Sequence, residues 1–248
     1  MLLQELRDYS ASLLQTAQYK DYCPNGIQLE GRGDVFRIAT AVTASQAVLD
    51  EAIAWGADAI IVHHGYFWRN EDACIVGIKK RRIAQLLKYD VSLLAYHLPL
   101  DAHATLGNNA RLGQALGLLE GGRFGEQNIA CFGELKQSET LTQFSLRVAA
   151  SMQRTPQVIG NGDSLMRKVA WCSGGAQGYF EAAIAQGVDV FVTGEISEQN
   201  YHLANETGVA FIAAGHHATE RLGVQALGEH LAEQFCLEHR FFDQNNPI

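Results

Sequence analysis

Ala54-Trp55-Gly56-Ala57-Asp58-Ala59-Ile60-Ile61-Val62-His63-His64 decides the fold of this chain. It runs from a helix end through a glycine and an aspartate into a short, wholly apolar strand, and it finishes on two histidines. The same design returns in Ala185-Gln186-Gly187-Val188-Asp189-Val190-Phe191-Val192-Thr193-Gly194-Glu195. A second echo follows in the same order. Leu94-Ala95-Tyr96-His97 ends one strand, with Asp101 four residues beyond the histidine. Ala213-Ala214-Gly215-His216 ends another, with Glu220 four residues beyond. Two echoes in one order predict two related α/β halves, and the alternation of strands with helices predicts largely parallel or mixed sheets.

Outward from these stretches, helices and strands alternate. Apolar spacing predicts an opening helix through Leu2, Leu6, Tyr9 and Leu13, then turn chemistry at Asp21–Gly26. Strand Phe36–Val42 precedes a helix over Ser45–Trp55 with Ser45 as its cap. Ala59–Val62 is a strand, Lys79–Tyr89 a helix, Val91–Tyr96 a strand and Asn108–Leu116 a helix. Glu120–Gly125, glycine-rich and charged, reads as a boundary, and Ser138 as the cap of a helix reaching Met152. Beyond a loop at 156–163, strands Val169–Cys172, Val190–Thr193 and Val209–Ala213 alternate with helices Tyr179–Gln186 and Ser197–Ala204. Helix Ala218–Phe235 and a strand near Arg240–Phe242 close the chain. The expected division is a first half at 1–118, a middle segment at 119–163 and a second half at 164–248.

Composition narrows the function classes. With 47% hydrophobic and 19% charged residues in 248, the chain has enough apolar material for a core and too little polarity for disorder. Apolar runs stay below the ~18 residues of a membrane span. Glu5, Arg7 and Asp8 interrupt the leucines that a signal peptide would need. Cys23, Cys74, Cys131, Cys172 and Cys236 are odd in number and form no CxxC, which argues against a disulfide frame and for a cytoplasmic protein. A net charge of −8 argues against general nucleic-acid binding, and Lys79-Lys80-Arg81-Arg82 reads as a solvated helix face.

The polar residues gather where α/β proteins bind ligands, at the C-terminal ends of strands. His63 and His64 follow Ala59–Val62, His97 and Asp101 follow Val91–Tyr96, and His216 and His217 follow Val209–Ala214. Neighbouring residues of a strand face opposite ways, but a turn at Gly65 can bring both imidazoles to one pocket. His216 and Glu220, at i and i+4 on a starting helix, share a face. Imidazole suits zinc, iron, manganese and nickel, and a carboxylate can bridge two such ions. His63, His64, Asp101, His216 and Glu220 are therefore candidate ligands of a metal pair. Glu195 reads equally well as a pocket residue or an exposed strand-end carboxylate. His103 and His217 read as supports of the pocket, and His202, His230 and His239 as structural. Gly174-Gly175-Ala176-Gln177-Gly178 reads first as a tight turn and second as an anion cradle at a helix start.

Together, Val62-His63-His64-Gly65, His97-Leu98-Pro99-Leu100-Asp101, Thr193-Gly194-Glu195 and Gly215-His216-His217-Ala218-Thr219-Glu220 resemble the GTP cyclohydrolase 1 type 2 homologue family, particularly its bacterial members. Asp21-Tyr22-Cys23-Pro24-Asn25-Gly26 and Val42-Thr43-Ala44-Ser45 share in the likeness, and 119–163 matches it least. The resemblance implies two intertwined, structurally repeated α/β domains with mixed sheets, a ring-shaped homohexamer and two divalent ions per subunit on His63, His64, Asp101, His216 and Glu220. It places His97 beside them. It also implies metal-dependent hydrolysis of a nucleotide such as GTP, with His97 as general acid or base. The alternative is a non-catalytic metal-handling or interaction protein, since the family has also been linked to transcription partners and the DNA-damage response. A third reading, DNA held inside the ring, would need local positive charge.

Overall fold

A computed structural model describes all 248 residues. The strands are β1 (Gly26–Leu29), β2 (Arg37–Thr43), β3 (Ala59–His64), β4 (Ser92–Ala95), β5 (Leu118–Phe124), β6 (Ala130–Thr140), β7 (Gln157–Ile159), β8 (Leu165–Trp171), β9 (Val190–Thr193), β10 (Ala210–Ala213) and β11 (Glu238–Phe241). The helices are α1 (Leu3–Leu13), α2 (Gln46–Trp55), α3 (Gly77–Tyr89), α4 (Leu98–Ala102), α5 (Asn108–Ala115), α6 (Leu141–Met152), α7 (Phe180–Ile184), α8 (Glu198–Thr207) and α9 (His216–Phe235). The chain forms two units, one of Met1–Leu100 with Gly223–Asn245, the other of Asp101–Leu222 with Asn246–Ile248.

The first unit holds a sheet of order β1-β4-β3-β2-β11. Its strands are parallel except β1, which runs antiparallel to β4. Both faces are covered, and this is why Ala59–Val62 is apolar throughout. On one face Val48, Leu49, Ile83 and Leu86 of α2 and α3 pack on Ile60 and Val62. On the other, Leu3 and Leu6 of α1 and Val224, Leu227 and Leu231 of α9 pack on Ile38 and Ile61.

In the second unit the order is β5-β6-β8-β9-β10-β7. Here β8, β9 and β10 are parallel, flanked by antiparallel β6 and β5 on one side and β7 on the other. Phe144 and Val148 of α6 and Leu112 of α5 bury Trp171, Val190, Val192 and Ile212 on one face. Phe180, Phe191 and Phe211 pack edge-to-face and stacked, with centroids no more than 6.0 Å apart.

The units repeat one frame. An antiparallel edge strand precedes three parallel strands in each, β1 with β2, β3 and β4, and β7 with β8, β9 and β10. The sequence echo is the middle of that frame. Gly56 (φ +84°) and Gly187 (φ +69°) turn the chain in the left-handed region after a helix. Each aspartate then ties the start of its strand to a neighbour. Asp58 Oδ2 accepts the N–H groups of Phe36 and Arg37, both at 2.9 Å. Asp189 Oδ2 accepts those of Arg167 and Lys168, both at 2.8 Å.

Several sequence expectations need correction. The bounds 1–118, 119–163 and 164–248 give way to the division above. Residues 119–163 are no separate segment: β5, β6, α6 and β7 complete the second sheet and its core. Residues 223–245 belong to the first unit because β11 pairs with β2 and the apolar face of α9 fills the core beneath β2 and β3. Glu120–Gly125 lies largely inside β5, whose register with β6 shifts between Glu120 and Gly122, so the glycines mark an irregular strand. Ser138 lies within β6. Thr140 caps α6 instead, accepting the Gln143 N–H while Gln143 Oε1 accepts the Thr140 N–H.

Candidate metal centre

In the first unit β3 ends on His63, fully buried, and His64, half-buried. Gly65 follows because β4 leaves no room for more: an added Cβ would come within 2.8 Å of the Ala95 Cβ. The two rings, which an unbroken strand would send to opposite faces, have centroids 4.6 Å apart. His97, just past β4, lies 5.0 Å from His63 and 5.8 Å from His64. The nearest ligand nitrogens of the three fall within 4.8 Å of one another.

Each ring is gripped at Nδ1. His63 Nδ1 lies 2.9 Å from the Tyr96 carbonyl, His64 Nδ1 3.2 Å from Thr43 Oγ1 and His97 Nδ1 2.7 Å from Asp21 Oδ1. A carbonyl or carboxylate oxygen only accepts, so His63 and His97 donate from Nδ1. In the neutral tautomer that this fixes, the lone pair of each ring is on Nε2. Asp21 is ionised: burial works against its charge, but His97, by hydrogen bond and by electrostatic attraction, and then hydrogen bonds from Asn25 and the Tyr22 N–H, bring its pKa down to about 2. Cys23, beside Asp21 and His97, is a neutral thiol in the metal-free protein. Burial first, and Asp21 second, push its pKa up to about 12.

The second unit repeats the grip. His216 opens α9 just after Gly215, and its Nδ1 donates to Glu195 Oε1 at 2.6 Å. Its Nε2 lies 3.2 Å from Glu220 Oε2, one turn along the helix. Burial opposes charge on His216, yet Glu220, and then Glu195, raise its pKa to about 9. Two carboxylates around one imidazole make a place for positive charge, which a proton or a metal ion can supply. Glu220 and Asp101 are buried, 3% and 7% exposed. Asp101 Oδ1 accepts from Asn108 Nδ2 at 2.9 Å and Ser173 Oγ at 3.2 Å. Gly174 (φ +67°) must be glycine, since a Cβ there would run into the Glu220 carboxylate.

The remaining candidates take structural places. Glu195 is a pocket carboxylate, steadied by Gln177 Nε2 at 3.2 Å. The Gly174–Gly178 loop is a turn: the Gly174 N–H goes to Thr219 Oγ1 and the Ala176 N–H to Thr193 Oγ1, which leaves no amide cradle from these two. His217 is buried, and its backbone N–H meets the Ile248 carbonyl. His103 Nδ1 accepts the Leu106 N–H and so holds a turn. His230 bonds Tyr9 and His239 bonds Thr40. Lys79 pairs with Glu71 beside the Phe67 ring, while Lys80 and Arg81 are exposed on α3. Sequence reasoning missed Asp21, Thr43, Asn108, Ser173 and Gln177 as partners of the candidate residues. Only Asp21, within a turn-forming run, carried a local signal.

The donor chemistry is imidazole in the first unit (His63, His64, His97) and imidazole with buried carboxylate in the second (His216, Asp101, Glu220). It fits a borderline or hard divalent ion such as zinc, iron or manganese. A comparison with protein families matches residues 1–247 to Duf34/NIF3 (NGG1p interacting factor 3). A "GTP cyclohydrolase 1 type 2 homolog" of Neisseria meningitidis serogroup B is 55% identical over 100% of this chain and 99% of its own. One of the same name from Pseudomonas aeruginosa is 50% identical over 99% and 98%. Among solved structures, protein ybgI, a protein of unknown function, superposes with a TM-score of 0.97 at 46% identity and full coverage of both chains.

Proposed function

Given that this chain belongs to the Duf34/NIF3 family, we propose that it binds two divalent metal ions and uses them to hydrolyse a small nucleotide or related heterocycle. One observation carries the reading: His63, His97 and His216 each donate Nδ1–H to an oxygen that can only accept, so each presents Nε2. Metal-binding histidines have this same arrangement, with an outer oxygen fixing the ring and its tautomer. The ligands in this reading are His63, His64, Asp101, His216 and Glu220, and His97 is the general acid or base. A bound pair of ions supplies Lewis acidity and lowers the pKa of water toward neutrality. The protein's own part is to fix the imidazoles by their Nδ1 partners and to keep Asp101 and Glu220 dry and oriented. The name shared by the relatives makes GTP the first substrate to test.

The same reading includes a cytoplasmic location, in keeping with five free thiols. It also includes a ring-shaped hexamer, in keeping with Val76 and Ile78 at the start of α3, 63% and 58% exposed. Light scattering on the purified protein measures its assembly state.

The function is tested by metal analysis of protein purified from its own host, followed by a turnover screen of metal-loaded wild type and His63→Ala on nucleotides. The expected result is about two divalent ions per chain, with metal and turnover lost together in the variant. Full turnover by metal-free protein would refute hydrolysis at this site. Tight metal binding with no turnover on any nucleotide would favour the metal-handling alternative.

A further inference from the structure

Asp21 stands in the loop before β1, 76 residues from His97, and its side chain is only 4% exposed. Both of its oxygens are committed. Oδ1 takes the His97 Nδ1–H at 2.7 Å and the Tyr22 N–H at 2.6 Å. Oδ2 takes the Leu98 N–H at 2.9 Å and Asn25 Nδ2 at 2.8 Å. Asn25 closes the circle by accepting the His97 backbone N–H on Oδ1 at 2.8 Å. One short loop thus holds the ring and the main chain of residues 97–98 together.

Neighbouring rings limit the alternatives. Trp68 stands edge-on to His97 with centroids 5.0 Å apart and an interplanar angle of 88°, and His63 lies at 5.0 Å on a tilted plane. The trio also differs in its anchors. His63 is backed by a neutral carbonyl and His64 by a hydroxyl. His97 Nδ1 is backed by a carboxylate, and an ionised carboxylate cannot donate. A hydroxyl allows either tautomer and an anion allows only one, with a stronger, charge-assisted bond.

We propose that Asp21 is a positioning residue that locks His97 with its proton on Nδ1 and its Nε2 lone pair toward His63 and His64. The proposal rests on the metal reading for what that lone pair meets; the lock itself is independent of it.

Imidazole 15N–1H correlation spectra of metal-free protein at about pH 8, above the ordinary histidine range, test the lock. His97 is assigned by the signals lost in His97→Gln. The expected wild-type pattern has the proton on Nδ1 and none on Nε2. Asp21→Asn, which can turn an N–H toward the ring, should move a major part of the population to the Nε2–H tautomer. Asp21→Glu, which keeps an acceptor, should restore Nδ1–H. A wild-type ring without a proton on Nδ1, or with protons on both nitrogens, overturns the proposal. So does an Asp21→Asn spectrum identical to wild type. If Asp21→Asn does not fold, the wild-type tautomer still decides. A locked His97 in a protein that binds no divalent ion would sink the metal reading and leave the lock standing.

Discussion

The two units share a frame and differ at its tips. Asp58 and Asp189 make the same pair of backbone bonds, and Gly56 and Gly187 the same left-handed turn. At the end of β3, however, stand His63 and His64, and at the end of β9 stand Gly194 and Glu195. The histidine after the third parallel strand is anchored in both units, but from places that do not correspond. Asp21 reaches His97 from a loop before the sheet, whereas Glu195 reaches His216 from the tip of the neighbouring strand. Packing constrains the middle of a strand on both faces, so the repeat is kept there. The tips are packed as closely but against different neighbours in the two units, a Cβ on Gly65 meeting Ala95 and one on Gly194 the Gly174 carbonyl, so their chemistry differs.

The sharpest break in the frame is at one matched position. Thr40 of β2 corresponds to Trp171 of β8, because the residues three earlier, Arg37 and Lys168, both accept the aspartate N–H. Trp171 is 1% exposed, donates its indole N–H to the Asn109 carbonyl at 2.9 Å and lies against Gly113. Trp171→Ala should cost about 3–5 kcal/mol in urea unfolding, through the cavity and the lost bond. Thr40→Ala removes a hydroxyl bonded to His239 and should cost about 1–3 kcal/mol. Equal costs would mean that the second core does not depend on its tryptophan.

The aspartates come next. Asp58 is buried and also pairs with Arg32 at 3.0 Å, while Asp189 is half-buried. Asp58→Ala should cost about 2–4 kcal/mol and Asp189→Ala about 1–2 kcal/mol, since the abandoned N–H groups are costlier where water is excluded. A larger loss for Asp189→Ala in the same measurement would reverse that ranking.

The frame was readable because it is periodic. Ala59–Val62 and Val190–Thr193 are strands because both of their faces are buried, and burial writes itself as uninterrupted apolar sequence. Ser45 announced α2 by a side chain that accepts the Val48 N–H. The antiparallel strands were harder: β5 contains Gly121 and Gly122 and is half exposed, so it imitates a loop. The return of residues 223–245 to the first sheet was not legible, because strand order is decided by contacts far apart in sequence. The candidate ligands were visible as polar residues ending apolar runs. Their partners were not, because Asp21 and His97, or Asn108 and Asp101, meet only through the fold.

The anchors themselves give a smaller, finer test. Glu195→Gln replaces an anionic partner of His216, and zinc affinity measured by chelator competition should fall about tenfold. Thr43→Val removes a neutral partner of His64 and should change it less. A Thr43→Val loss matching that of Glu195→Gln would show that the charge of the anchor has no part in the difference between the units.

The smallest effect expected is a pH dependence at the β2–β11 edge of the first unit. His239 in β11 is held below its ordinary pKa by burial, only partly offset by Glu229, with Thr40 Oγ1 at 2.8 Å and Gly228 of α9 against the ring. In the unfolded chain it takes up a proton near pH 6.5. The folded state resists until a lower pH, so the unfolded state binds more protons between the two values. Stability is therefore full above about pH 6.5 and falls as the pH drops through that window, by at most about 1.4 kcal/mol per pH unit for one proton. His239→Gln should flatten that part of the curve, read from urea midpoints on the acid side of neutrality. Trp171, at the position matched to Thr40, has no ionisable partner of this kind, so Trp171→Phe should keep the wild-type slope. Parallel curves for wild type and His239→Gln would mean that the acid sensitivity arises elsewhere than at the β2–β11 edge.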